Sequence, residues 1–352
     1  MKRHFYFLLM MLAMGVVSCN IIIKPDPELI TTNVDSVEVV VNVKVAGDTA
    51  TPTVQQPVEI SQCDMVMLDK GKLFFYNSSL NAMAPYEAET DSVVNSVFTN
   101  DGHLYYCVPV NNRMMLRCID LNEPDPKPTQ VADWGVDYEK CVTETYGTVS
   151  PLSYYPSRNL LGLWHEFSWD SYMLTKQKLY NLGTGKVTDW KLEELERQDE
   201  EDELDEYLKN EGQQFWYTKG GKVCLTDKID FSKYASDPDY ATEPEFNQLS
   251  SSPDKQKVLY AAILEWGDYP HGILAVSSLD GKLQMPLEDT DCTGFVAKWL
   301  ADGSLVYVGE EPLSPDDPDY DANWHYCTHC VKRVFPDGHT EIIGHCSDFQ
   351  VK

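Results

Sequence analysis

From about residue 61 onward, short apolar runs alternate with turn signals, and the turn comes immediately before the run. The segments are LDKGKLFFY (68–76), TNDGHLYYC (99–107), YPSRNLLGLW (155–164), YTKGGKVCL (217–225), SPDKQKVLY (252–260) and LADGSLVYV (300–308). Turn residues followed by β-branched and aromatic residues predict strands rather than helices. Their first apolar residues, Leu73, Leu104, Leu160, Val223, Val258 and Leu305, recur about every 46 residues, the size of a four-stranded propeller blade. A second hairpin signal follows in YNLGTGKV (180–187), SSLDGKLQ (277–284) and VFPDGHTEI (334–342), as an antiparallel meander requires. The pattern therefore predicts an all-β chain, a six-bladed β-propeller over residues 61–352; a pair of β-sandwiches is the alternative.

Three stretches break the pattern. DWKLEELERQDEEDELDEYLKN carries Leu192, Leu195, Tyr207 and Leu208 on a partial helical face, with Gly212 placed to stop it. It predicts a helical insertion near residues 189–210, whose acidic run Asp199 to Glu206 reads as a solvated face. Residues 19–34, with Pro25 and Pro27, read as a tether. Residues 35–60 form an accessory region in which DSVEVVVNVKV (35–45) either closes the ring beside the C-terminus or packs outside it.

SSSPDKQKVLYAA with ILAVSSLDGKL resembles the repeat of TolB-like and WD-like six-bladed propellers, in which a Ser-Pro-Asp turn leads into one strand and an Asp-Gly turn separates the last two. The resemblance is clearest over residues 250–310. It implies a closed disc and attaches no single activity to it.

The N-terminus reads as an export signal: Lys2 and Arg3, an apolar run from Phe5 to Val17, then Ser18 and Cys19. Val16-Val17-Ser18-Cys19 resembles the bacterial lipobox, which implies removal of residues 1–18 and lipidation of Cys19, hence a membrane attachment. Asn20 differs from the Asp that retains enteric lipoproteins in the inner membrane, so the analogy points to the outer membrane. Loss of Lys2 and Arg3 moves the net charge from −28 to −30. So acidic a surface repels nucleic acid, and a DNA or RNA partner is not expected. With 43% hydrophobic residues, 8 Trp and 20 Tyr, the chain can bury a large core.

The motifs of common enzyme classes are absent: no GxSxG, HExxH, P-loop or GxGxxG pattern occurs. Three long loops that a propeller gathers on one face, HEFSWDSY (165–172), LEWGDYPHG (264–272) and GEEPLSPDDPDYDANWH (309–325), mix aromatics with carboxylates. Trp169, Asp170, Trp266, Asp268, Tyr269 and Trp324 are the candidate ligand-binding residues, suited to stacking on a sugar or a cationic peptide while carboxylates take hydroxyls or amines. The competing reading is that these aromatics only pack the loops onto the disc. The expected function is a lipid-anchored, non-enzymatic binding or scaffold protein for a glycan or protein partner. The alternative is a carbohydrate-active or other hydrolase with carboxylates near the propeller axis, and no catalytic residue is assigned.

No cofactor is expected, but two metal readings deserve a place. Asp317 to Asn323 alternates oxygen ligands like the first half of a calcium loop, without the glycine at the sixth position or a Glu at the twelfth, where Thr328 stands. WHYCTHC (324–330) holds two His and two Cys, but in a strand Cys327 and Cys330 point to opposite faces about 10 Å apart, so they cannot bridge each other. If Pro336-Asp337-Gly338 is a three-residue loop, His329 faces His345 with Cys327 and His325 along the same face, a zinc-compatible set. A two-residue turn sets Cys330 against His345 instead. An Asn112-Arg113 turn would likewise place Cys107 opposite Cys118. Nine cysteines remain without Cys19, so at least one thiol stays free or pairs between molecules.

Overall fold

The computed structural model describes residues 19–21, 41–43, 58–142, 149–168, 173–190, 204–235, 243–265, 271–290, 295–316, 327–346 and 348–352. Strands β1 (Cys19–Ile21) and β2 (Val41–Val43) pair with each other, Cys19 opposite Val43. Six antiparallel sheets follow. The first blade holds β3 (Met65–Asp69), β4 (Lys72–Asn77) and β5 (Ala82–Pro85), and the second β6 (Asn95–Phe98), β7 (His103–Val110), β8 (Arg113–Asp120) and β9 (Pro128–Asp137). The third holds β10 (Leu152–Tyr155), β11 (Leu160–Ser168), β12 (Met173–Asn181) and β13 (Lys186–Asp189). The fourth shows three strands among the described residues, β14 (Leu208–Glu211), β15 (Gln214–Tyr217) and β16 (Val223–Cys224). The fifth comprises β17 (Glu245–Ser251), β18 (Lys257–Glu265), β19 (His271–Ser278) and β20 (Gln284–Pro286). The sixth comprises β21 (Ala297–Trp299), β22 (Leu305–Pro312), β23 (Cys327–Val334) and β24 (Thr340–Gly344).

The last strand, β25 (Asp348–Val351), does not extend the sixth blade but pairs with β3, Phe349 opposite Met67, completing the first. The chain thus closes its own ring, and the described part of residues 35–45 plays no part in that closure. First strands of neighbouring blades touch, β25 with β6 and β6 with β10, so each blade runs outward from the centre.

Hydrophobic clusters fill the seams between blades rather than any one sheet. Leu73, Phe75, Leu104 and Tyr106 join blades one and two; Leu116, Trp134, Leu161 and Leu163 join two and three. In β18 the burial is continuous, because Val258, Tyr260 and Ala262 face the fourth blade while Leu259 and Ala261 face the sixth. A strand covered on both faces needs no polar alternation, which explains the unbroken run VLYAAIL.

Several expectations change here. Among the described residues there is no α-helix. Gly212, expected to stop a helix, has φ +62° and turns β14 into β15, with Glu211 opposite Gln214. The helical insertion therefore fails over residues 204–210, and residues 191–203 lie outside the described set. The repeat is also less uniform than its turns: LDKGKLFFY and YTKGGKVCL lead into the third strand of their blades, the other four into the second. The β7–β8 turn is Asn111-Asn112, at φ +50° and +62°, with Val110 opposite Arg113. A tight hairpin turn of this kind needs positive φ at both central residues, which Asn tolerates and Arg does not. Cys107 consequently faces Leu116 and Cys118 faces Tyr105.

Candidate functional site

The three aromatic loops begin at the ends of β11, β18 and β22, each joining the second strand of a blade to the third, so topology puts them on one face. Their candidate residues Trp169, Asp170, Trp266, Asp268, Tyr269 and Trp324 lie outside the described residues, as does the acidic run 317–323. On that face, a cavity of about 590 Å³ opens between blades two and three. It starts from the first two residues of the first loop, His165 and Glu166, and adds residues the sequence did not single out: Arg113, Asp137, Lys140, Lys176, Gln177, Lys178, Asp189 and Trp190.

Local structure explains how each group gets there. The Asn111-Asn112 turn starts β8 at Arg113, whose guanidinium bonds Asp137 at 3.1 Å and Asp133 at 3.2 Å. The Tyr138 N–H donates to the Asn112 carbonyl at 2.7 Å, seating the short turn Tyr138–Cys141 that carries Lys140. Opposite, β11 and β12 pair with His165 level with Lys176. Gln177 is 2% exposed and donates through Nε2 to the Tyr155 hydroxyl at 2.9 Å. It fits because residue 162 is glycine: a Cβ there would sit 2.5 Å from Gln177 Nε2. The Trp190 N–H donates to the Gln177 carbonyl at 3.0 Å, and its ring meets Trp164 edge-on at 5.3 Å.

The cavity's charges are mostly paired. Lys176 reaches Glu166 and Lys178 reaches Asp189, each at 2.5 Å, and these lysines hold both carboxyls below the usual range. Both acids thus stay ionised near neutral pH and act as acceptors rather than proton donors. Glu166 sits at φ +62°, unusual for a residue with a Cβ, which brings its carboxylate within 3.8 Å of His165 Nδ1. Burial pushes the His165 ring below its ordinary value, so it is neutral, with one nitrogen a donor and the other an acceptor.

The unmet hydrogen bonds are the most informative feature. His165 Nδ1 and Nε2, Gln177 Oε1 and Trp190 Nε1 are buried atoms with no hydrogen-bond partner, and all four belong to residues lining this one cavity. Buried polar groups are nearly always satisfied, and four of the ten exceptions among the described residues thus gather around this one cavity. HEFSWDSY was the available sequence signal for His165 and Glu166. Nothing local could have indicated Gln177, whose role depends on Gly162 and Tyr155.

The metal set resolves differently. Pro336-Asp337-Gly338 is the three-residue loop: the Phe335 N–H donates to His339 O at 2.9 Å, Val334 faces Thr340, and Gly338 has φ +91°. A bulge between Val331 and Lys332 then shifts the pairing by one, so Val331 faces Gly344 and His329 no longer meets His345. His329 faces Glu310 on β22, whereas His345 Nδ1 lies 3.5 Å from Glu311. Cys327 is level with Pro312 at the start of the strand. His325 lies outside the described residues, and among those described no three His, Cys, Asp or Glu side chains form a metal-sized group. Cys63, Cys107, Cys118, Cys141, Cys224, Cys327, Cys330 and Cys346 are free thiols, and burial raises Cys118, Cys141 and Cys346 to about 12 and Cys330 to about 11, which disfavours the reactive thiolate.

Six radially ordered sheets, closed by a strand from the chain's own end and carrying an interblade pocket on one face, define a β-propeller. No protein-family model matches the chain, and no curated protein matches it in sequence. Among solved structures it is similar to TolB from Acinetobacter baumannii, at 11% identity and TM-score 0.41, covering 84% of this chain and 67% of that one. It is also similar to a putative TolB from Agrobacterium tumefaciens (10%, TM-score 0.25, 80% and 76%) and to a protein from Lactobacillus plantarum (10%, TM-score 0.31, 81% and 82%).

Proposed function

We propose that this chain is an envelope-bound, non-enzymatic binding propeller whose ligand is a glycan held in the cavity between blades two and three. The observation that carries this reading is the set of unpaired atoms on His165, Gln177 and Trp190. Together they call for a ligand with both donors and acceptors close together, which vicinal hydroxyls supply, beside an indole edge and an apolar-faced Trp pair. A cavity of this volume is in the range of small-ligand sites. The hydrolytic alternative needs carboxylates converging at the axis. On the innermost strands, Glu245 and Asp348 begin their strands and Glu211 ends its own, so the described inner strands bring no trio to one mouth.

A glycan array and hydrolysis screen of the full-length chain in mild detergent tests both readings. His165→Ala should weaken glycan binding at least tenfold, and Gly162→Ala, which displaces Gln177, should weaken it comparably while leaving the ring in place. Turnover of a substrate that disappears when a carboxylate of an innermost strand is neutralised, as in Glu245→Gln, would establish the hydrolase instead.

Membrane attachment is proposed on the lipobox resemblance at Cys19. Among the described residues no helix is long and apolar enough to cross a membrane. Cys19→Ser should move the chain out of the membrane fraction and abolish incorporation of labelled palmitate; unchanged fractionation and labelling would refute the anchor.

A further inference from the structure

The charges around the cavity balance, unlike those of the whole chain, whose net charge is −28. On the wall from blade three, the two-residue alternation that turns Leu161, Leu163 and Tyr180 into the seam with blade two also turns His165, Lys176, Lys178 and Asp189 that way. Lys176 holds Glu166 there, and Lys178 holds Asp189. On the wall from blade two, Arg113 holds Asp137 at 3.1 Å and Asp133 at 3.2 Å. The Lys140 ammonium, on the turn after β9, acts on Glu166. Four cations thus meet four carboxylates, and the neutral His165 adds no charge.

Resting on the cavity as the glycan site, we infer that it selects uncharged glycans, whose hydroxyls bridge the Glu166–Lys176 and Lys178–Asp189 pairs, over acidic or amino sugars of the same backbone. A paired ion still hydrogen-bonds: an ammonium has three donors and a carboxylate about four acceptor sites, so each pair keeps places for a hydroxyl, which both donates and accepts. Hydrogen bonds to ions are roughly twice as strong as those between neutral groups. The Lys176 and Glu166 side chains are 63% and 37% exposed and that of Asp189 76%, so hydroxyls reach them with the pairs intact. A charged ligand group must instead draw one ion from its partner and leave the other uncompensated beside it.

The test is calorimetric titration of the full-length chain in mild detergent with trimers of galactose and of glucose, each with its primary hydroxyls left intact, oxidised to carboxylates or replaced by amines. The intact form should bind about threefold or more tightly than either charged form, a modest margin because exposed ion pairs are individually weak. Its affinity should hardly change with salt, since no net charge is matched. Glu166→Gln, which leaves Lys176 without its carboxylate, should make the carboxylate form bind at least as tightly as the intact one. Lys178→Gln, which leaves Asp189 without its ammonium, should do the same for the amine form. A charged form that equals the intact one in the parent chain would overturn the charge selectivity and leave the glycan site standing. A preference for the intact form that persists unchanged in both variants would likewise overturn the inference, and no binding of any trimer would overturn both it and the site.

Discussion

A chain ending at residue 347 is expected to lose cooperative folding altogether. β25 supplies the innermost strand of the first blade, pairing Val351 with Met65 and Phe349 with Met67, and the Lys352 N–H donates to Asp64 O at 2.8 Å. Phe349 is 2% exposed in the cluster of Met65, Met67, Tyr76, Val306 and Val331 that joins blades six and one. Loss of such a ring alone costs about 3–5 kcal/mol. Removing the strand also bares the edge of β3 and opens the ring, against a total stability typically of about 5–15 kcal/mol. Circular-dichroism melting should show a broad or absent transition for the truncated chain. Phe349→Ala, which keeps the backbone pairing, should remain cooperative with its denaturant midpoint lowered by the cost of one ring. A truncated chain melting at the parent midpoint would refute closure by β25.

Arg333→Ala should be among the most damaging single changes. Its guanidinium is 2% exposed at the same seam. Nε donates to Ser304 Oγ at 3.0 Å, Nη1 to the Tyr76 hydroxyl at 2.7 Å and to Ser78 O at 2.8 Å, and Nη2 to Asp302 at 2.5 Å. The guanidinium also stacks over Phe335 at 4.2 Å. Breaking a buried ionic network costs about 3–5 kcal/mol, and the 40% exposure of the Asp302 side chain places this case near the lower end, about 3 kcal/mol. Arg333→Lys should not restore the loss, because one ammonium cannot reach four groups on two blades. The sign with pH follows from Asp302. Burial opposes its charge, but hydrogen bonds from Ser304 and the Arg333 charge outweigh that and hold its carboxyl below 3.8. Its stabilisation is present above that value and lost as pH falls through the depressed folded value, so parent and variant should converge in acid. Equal denaturant midpoints at pH 7 would refute the network's role.

Hairpins were the most legible level of the fold. The Gly-Thr-Gly, Asp-Gly and Pro-Asp-Gly turns carry their own φ preferences, and YNLGTGKV, SSLDGKLQ and VFPDGHTEI all form the last hairpins of their blades. Where two local turns compete closely, backbone sterics decide: the turn forms at Asn111-Asn112 rather than at Asn112-Arg113. Leucines and a tyrosine at helical spacing make Gly212 look like a helix stop, whereas pairing of Leu208–Glu211 with Gln214–Tyr217 decides the outcome. The site was half visible. His165 and Glu166 stand near the end of β11, in a stretch whose aromatic and acidic residues mark it in the sequence, but Arg113, Lys140, Gln177 and Trp190 stand on separate strands and turns that nothing in their neighbourhoods connects.

By itself the sequence determined what short-range energies determine: strands, tight turns, their spacing at one blade per repeat, and a strongly acidic composition. Only the tertiary structure decided which strand begins each blade, that β25 closes the ring, that a bulge at Val331 parts His329 from His345, and that a buried histidine and glutamine and a half-buried tryptophan meet in one cavity. Those outcomes depend on how blades pack face to face, an interaction between residues far apart in the chain that local turn and strand preferences do not encode.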